Sequence, residues 1–307
     1  MVLITPGRNY FITDSRYTEE ARKTLKGFSI ETVTSTTYET LKAVVSKEGL
    51  RMIGFESMDL AHEVVRRLKT KIRPARFVAT KNFIETKRAI KDKEEIALIK
   101  KAISCAKTTL RAMANRLRPG VSESDISRYA EIDFLKKGAR AAFLPIVAVG
   151  KNSSKPHARP ANARISASSF VMIDVGCTLN GYNSDLTRMF FLGRIKDSIK
   201  KIYGIVHHAQ ARAISMIRPG VKIADVDSAA RSFIDEQGYG KYFGHALGHG
   251  VGLEVHEQPT ISRLNTDVLR AGMVFTVEPA IYIPNVGGVR IEDMVLVTKD
   301  GCEVLTR

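Results

Sequence analysis

The sequence predicts an α+β protein, with a duplicated helix–helix–hairpin domain over residues 83–307 behind a small α/β domain over residues 1–82. Three observations predict it. Arg118-Pro119-Gly120-Val121 recurs 100 residues later as Arg218-Pro219-Gly220-Val221, each time between two helical stretches. Each helix pair runs on to a strand–turn–strand pattern, Phe170–Gly193 in the first half and Val274–Val297 in the second. The first part of the chain instead alternates short apolar runs with amphipathic stretches. A repeat of this period is too long for a solenoid. It implies two pseudo-symmetric halves with a cleft between them, where small-molecule sites tend to lie.

In chain order, the runs VLIT and YFIT, joined by Pro6-Gly7, read as strands. Helical spacing follows over Thr18–Lys26 and Tyr38–Lys47, then a strand at MIGF and a helix over Leu60–Leu68. No glycine-rich phosphate loop and no cluster of catalytic residue types occurs here, so a supporting domain is expected. Arg66–Lys91 carries ten Lys and Arg against one acid, Glu85. With only Phe77 and Phe83 interleaved and no recognition motif, it reads as a solvated interdomain segment rather than a nucleic-acid surface. Asp92 with Glu95 makes a capping box for a helix running to Leu117, whose stripe is Ile96, Ile99, Ala102, Ile103 and Leu110. Ser122 caps a second helix, from about Glu123 to Lys137, that stops at Gly138.

Composition bounds the function. A chain of 307 residues, 44% hydrophobic, can bury more than one core. The net charge of +16 raises the question of nucleic acid, which the motifs do not answer. Three widely spaced cysteines, Cys105, Cys177 and Cys302, form no CxxC pair and suit a reducing compartment. The N-terminus lacks a basic signal-peptide region, and no apolar run approaches the ~20 residues of a membrane span. A soluble cytoplasmic protein, without membrane contact, is expected.

The chemistry begins in the first hairpin. Asn180-Gly181 favours a two-residue turn, because both positions tolerate positive φ. That turn sets Leu179 opposite Tyr182, Asp174 opposite Thr187 and Asp185 opposite Gly176. Asp174 and Asp185 then share one face as diagonal neighbours, with Gly176 leaving space beside Asp185. Two carboxylates on an apolar hairpin repel each other and lose hydration, so a cation is expected between them. The second hairpin, centred near Asn285, sets Glu278 opposite Glu292 and repeats the oddity. Between the hairpins lies GHALGHGVGLEVHEQP, with His245, His249 and His256. Its glycines, at 244, 248, 250 and 252, would let backbone approach a ligand. It is neither a dinucleotide loop nor an HExxH zinc helix. Four carboxylates with imidazole make a hard, oxygen-rich site suited to two divalent cations such as Mn²⁺, Co²⁺ or Fe²⁺, and to metal-assisted hydrolysis. Calcium fits less well, since it has no need of imidazole.

At these residues the sequence resembles the pita-bread metallopeptidases: methionine aminopeptidase, Xaa-Pro aminopeptidase, prolidase and creatinase. The resemblance implies that Asp174 binds one metal, His249 and Glu278 the other, and that Asp185 and Glu292 bridge them. It implies two divalent ions, Mn²⁺ first, with Co²⁺, Fe²⁺ or Zn²⁺ as alternatives. His157, in KPHARP, and His256 match histidines that contact the scissile peptide. His245 and Arg290 match substrate-site positions of the proline-specific branch, and Glu278 adds proton shuttling. The FITDSRY stretch and EEIALIKKA resemble the creatinase-type N-terminal domain. In that family a further strand and helix usually precede the LITP strand, so either the start is trimmed or the small sheet is expected to lack its first strand. The expected function is release of an N-terminal residue from peptides with proline second, by a homodimeric Xaa-Pro aminopeptidase. The alternatives are a prolidase restricted to Xaa-Pro dipeptides and a non-catalytic binding module of the same fold.

Overall fold

Four of the helices start at a side-chain cap that the sequence supplies. A computed structural model describes residues 1–307, and in it the chain folds as two units, Met1–Ile84 and Glu85–Arg307. In the first unit β1 (Val2–Ile4), β2 (Asn9–Thr13) and β3 (Phe28–Thr32) form one sheet, with β1 antiparallel and β3 parallel to β2. Helix α1 (Ser15–Thr24) is capped by Asp14, and α2 (Thr37–Lys47) by Thr36. The strand β4 (Met52–Glu56), the helix α3 (His62–Lys71) and the strand β5 (Arg76–Thr80) complete the unit, with β4 and β5 parallel. Tyr10, Ile12, Leu41, Val44, Leu68 and Ile72 are buried in its core.

The basic stretch is not the solvated interdomain segment expected from its charge. It contains the last turns of α3 and all of β5, and Leu68, Ile72 and Phe77 are buried in it. The apolar residues fall between the cations, so the cations from Arg66 to Lys87 point out while the chain between them packs; Arg66 and Arg67 remain 62% and 55% exposed. Charge count alone obscured that alternation.

In the second unit a short helix, α4 (Phe83–Arg88), leads into α5 (Lys93–Ala114), whose capping box joins Asp92 and Glu95 as the sequence predicts. The helix α6 (Glu123–Lys136) carries a second capping box, from Ser122 and Asp125. Strands β6 (Arg140–Ala141), β7 (Ile146–Val149), β8 (Ser169–Val175), β9 (Cys177–Leu179), β10 (Tyr182–Asn183) and β11 (Leu186–Leu192) follow. The second half repeats the order with α7 (Asp197–Met216), α8 (Ile223–Glu236), β12 (Gly248–Gly250), β13 (Glu257–Ile261), β14 (Val274–Val277), β15 (Ala280–Ile283), β16 (Gly287–Arg290), β17 (Asp293–Val297) and β18 (Cys302–Val304). One sheet runs β11-β8-β7 and another β13-β12-β14-β17-β18. Helices α5 and α6 pack on the first half's core, and α7 and α8 on the second's.

The duplication is visible bond by bond. Gly120 N–H donates to Ile165 O and Gly220 N–H to Leu269 O, each at 2.9 Å. Ile165 and Leu269 in turn donate to Val121 O and Val221 O. Gly120 and Gly220 both hold positive φ, as the turn after each helix requires. Both hairpins keep the expected register. Leu179 pairs with Tyr182 and Asp174 with Thr187, and Asn180 and Gly181 have positive φ. In the second, Val277 pairs with Asp293 and Ala280 with Arg290, which puts Glu278 and Glu292 opposite each other in the gap between these ladders. No helix is long and apolar enough to cross a membrane.

Candidate metal centre

Asp185, Glu278 and Glu292 sit where their ladders are interrupted, whereas Asp174 lies inside β8, paired with Thr187 and Ile146. Asp185 falls between β10 and β11, and its N–H points at Met294 Sδ, 3.2 Å away. Glu278 and Glu292 fall between β14 and β15 and between β16 and β17, with Pro279 barring continuous pairing. Their amides turn elsewhere: Glu278 N–H donates to Leu247 O (2.8 Å) and Glu292 N–H to Thr187 O (3.2 Å). The carbonyls left in that gap are met by Gln210 of α7, whose Nε2 lies 3.1 Å from both Val277 O and Ile291 O. A break in the sheet thus turns two glutamates inward without orphaning the backbone.

All nine residues singled out in the sequence (His157, Asp174, Asp185, His245, His249, His256, Glu278, Arg290 and Glu292) line one cavity of about 1390 Å³. Ligand atoms of Asp185, His249 and Glu292 lie within 4.8 Å of one another. His249 Nε2 is 3.3 Å from Glu278 Oε1 and 3.7 Å from Asp185 Oδ2. His249 Nδ1 donates to Gly250 O at 3.1 Å, because a carbonyl can only accept, so Nε2 is the nitrogen free to hold a cation. Thr276 Oγ1 takes His249 N–H (3.1 Å) and donates to Glu278 Oε1 (3.0 Å). Thr187 Oγ1 donates to Glu292 Oε2 at 2.6 Å.

Asp174 is held differently. Arg290, 3% exposed, donates from Nη2 to Asp174 Oδ2 at 2.5 Å. Arg290 is further fixed by Tyr282 OH (2.6 Å), Thr187 Oγ1 (3.0 Å) and Pro156 O (3.1 Å). It is therefore part of the site's frame as well as of its wall. His245 donates from Nδ1 to Ala246 O (2.7 Å), and its buried Nε2 has no partner. That side chain presents an acceptor to the cavity. His157 and His256 are exposed to it, and the His256 ring lies 4.0 Å from the His249 ring.

Electrostatics ask for a cation. Burial and then the negative charge of Glu292 push the Asp185 carboxyl well above its ordinary range. Burial and Glu278 do the same to Glu292. Burial also raises Asp174 despite Arg290. Burial opposes the ionised Glu278 too, but His249, His245 and Arg290 hold it down at about 2. Asp174 Oδ1 and Asp185 Oδ1 are buried without a hydrogen-bond partner. Buried acceptors of this kind are rare unless something positive meets them. The donor set of carboxylate oxygens and one imidazole nitrogen fits hard or borderline divalent ions.

Two glycine expectations change. Gly176 does not leave room for the Asp185 carboxylate; a methyl there would lie 2.0 Å from Ser184 O and 2.8 Å from the Phe143 ring. Gly248 and Gly250 of the histidine stretch likewise serve close packing of the chain itself, whereas Gly244 lines the cavity with open space beside it. A methyl on Gly248 would lie 1.9 Å from Thr276 O, and one on Gly250 2.2 Å from Gln258 O. Tight strand packing, not ligand approach, selects Gly248 and Gly250.

Sequence reasoning passed over Thr187, Thr276, Tyr282 and Gln210. Thr187 stands two residues from Asp185 and Thr276 two residues from Glu278, and that spacing to the acids was a signal for both. Gln210 carried none, since a helix 67 residues away supplies it.

Residues 97–299 match metallopeptidase family M24, and residues 1–90 match the creatinase/prolidase N-terminal domain. The chain is 42% identical over 263 residues to a Xaa-Pro dipeptidase of Pyrococcus horikoshii, covering 85% of this chain and 74% of that one. Its structure is similar to a Xaa-Pro dipeptidase from Bacillus anthracis, with a TM-score of 0.95, 40% identity and coverage of 100% and 86%. It is also similar to an X-Pro aminopeptidase from Thermotoga maritima, with a TM-score of 0.92, 36% identity and coverage of 100% and 87%.

Proposed function

The chain belongs to metallopeptidase family M24 and carries a creatinase/prolidase-type N-terminal domain, and we propose that it is a metal-dependent prolidase cleaving Xaa-Pro dipeptides. The observation that carries this reading is the set of buried carboxylates around His249, with two aspartate oxygens unpartnered, in one cavity with three further histidines. The names of similar proteins favour the dipeptide substrate over the aminopeptidase reading drawn from the sequence.

In this proposal Asp174, Asp185, His249, Glu278 and Glu292 hold two divalent ions, Mn²⁺ among them. Bound ions would supply Lewis-acid activation of water and of the scissile carbonyl. The chain's own groups do the remaining work. Glu278, ionised across the neutral range, takes a proton from the attacking water and returns it to the proline nitrogen as the C–N bond breaks. His157 and His256 donate hydrogen bonds to the oxygen that gains negative charge. His245 Nε2 accepts from a substrate N–H, and Arg290 keeps Asp174 in place.

The cavity supports a second reading. At about 1390 Å³ it exceeds the usual range for small-ligand sites, so longer peptides with proline second also fit. Initial rates on Xaa-Pro and Xaa-Pro-Yaa separate the two. Prolidase requires kcat/KM on the dipeptide at least about tenfold higher, a difference of about 1.4 kcal/mol in transition-state stabilisation. Equal or reversed rates would leave the aminopeptidase.

A further inference from the structure

The end of the basic stretch turns into the second unit rather than out to water. Lys91, its side chain 1% exposed, donates from Nζ to Glu257 Oε1 at 2.7 Å. Arg88 donates from Nη2 to Glu257 Oε2 at 2.7 Å and lies 3.4 Å from Glu254. Glu257 is 5% exposed in its side chain, so both its oxygens are occupied by cations more than 160 residues away in sequence.

Glu257 directly follows His256. Its carboxylate rests on the backbone of the same loop: Glu254 N–H donates to Oε2 at 3.3 Å, and a methyl on Gly252 would lie 2.5 Å from Oε1. The loop is gripped from the opposite hairpin as well. Asn183 donates from Nδ2 to Gly252 O (3.0 Å) and to Leu253 O (2.9 Å). Residues 252–256 are therefore fixed at both ends, with His256 at the cavity end.

A buried ion pair adds little to stability, because the hydration lost by both groups offsets their attraction. Geometry is the better account of this one. Catalytic groups lose activity steeply when displaced by an ångström, and a glycine-containing loop has many alternatives. We infer that the Lys91–Glu257–Arg88 cluster, of which Arg88 and Glu257 border the same cavity, positions His256 against the scissile carbonyl rather than acting on it directly. This rests on the functional reading above. Lys91 and Glu257 are positioning residues, acting through His256.

The test compares kcat and KM on a Xaa-Pro dipeptide for the full-length protein loaded with Mn²⁺. Glu257→Gln alone strands the buried Lys91 charge and tests stability together with position. The paired change Lys91→Met/Glu257→Gln removes both charges. In the paired variant we expect kcat to fall about 10- to 100-fold, the range seen when a supporting partner of a site residue is lost. KM and Mn²⁺ affinity should stay within about threefold of wild type. In a His256→Ala background the same paired change should lower kcat less than about twofold, because its target is already gone. A wild-type kcat in the paired variant would overturn the inference. So would an equal loss in both backgrounds, which would make the cluster framework only. A wild-type protein inactive on Xaa-Pro sinks the functional reading instead, and that control keeps the two failures apart.

Discussion

Asp185 has the least tolerable surroundings of any residue in the chain. It is 5% exposed, one oxygen has no partner, and the negative charge of Glu292 reaches it. Replacing Asp185 or Glu292 by alanine should abolish tight metal binding and lower activity by more than about 100-fold, beyond what loss of a supporting residue causes. Metal content and kcat on the same samples check it; wild-type turnover by the metal-free variant would refute the ligand assignment. The same acids set a pH dependence. Burial raises Asp185 and Glu292 above their unfolded values, so their contribution to stability is greatest at low pH and is lost as pH rises through the raised values. Glu278 runs the other way, but its contribution is lost only below its ordinary range, toward about 2. Above the ordinary carboxylate range the metal-free protein should therefore lose stability as pH rises through those raised values, and a cation should restore it. The increase in Tm on adding Mn²⁺ to chelated protein should grow from pH 5 to pH 8; an increase that shrinks would contradict this electrostatic picture. The acids were legible in the sequence because carboxylates on apolar hairpins conflict with burial. Their supports were less so: a threonine hydroxyl or a glutamine amide conflicts with nothing until its partner is known.

At the scale of elements, turn chemistry made the hairpins readable. Asn180-Gly181 and Asn285 fixed the register, and register fixed which acids meet. Helices α5 and α6 were readable from their caps, and Asp92→Ala should cost about 1 kcal/mol through loss of its capping box. Gly176 is the sharper test of how the first hairpin positions Asp185. A methyl there meets the Ser184 carbonyl at 2.0 Å, with no flexible side chain to yield. Gly176→Ala should destabilise by about 1–3 kcal/mol and weaken metal binding together, since Ser184 and Asp185 must move. Thermal melts with and without Mn²⁺ check this; an unchanged melt with wild-type affinity would show that the hairpin absorbs the methyl. The basic stretch was the poorest reading. Its cations are conspicuous, whereas Ile72, Phe77 and Lys91 reveal their burial only in three dimensions.

Across the whole molecule, duplication explains why the site exists. Each half contributes one hairpin whose acids could not remain buried alone, and the two meet through Thr187–Glu292 and Arg188–Asp293. The repeated RPGV made that symmetry visible in sequence, whereas the histidine stretch that completes the set has no counterpart in the first half. The net charge of +16 distracts from the buried cluster of acids on which the proposed function rests. The central claim is that these acids hold divalent ions for hydrolysis before proline. Its most direct test is proline release from a Xaa-Pro dipeptide by chelated protein as Mn²⁺ is titrated back, with Met-Xaa-Yaa as control. The expected result is no release until Mn²⁺ is restored, saturation thereafter, and no methionine from the control. Full-rate release by the chelated protein, or equal cleavage of Met-Xaa-Yaa, would contradict it.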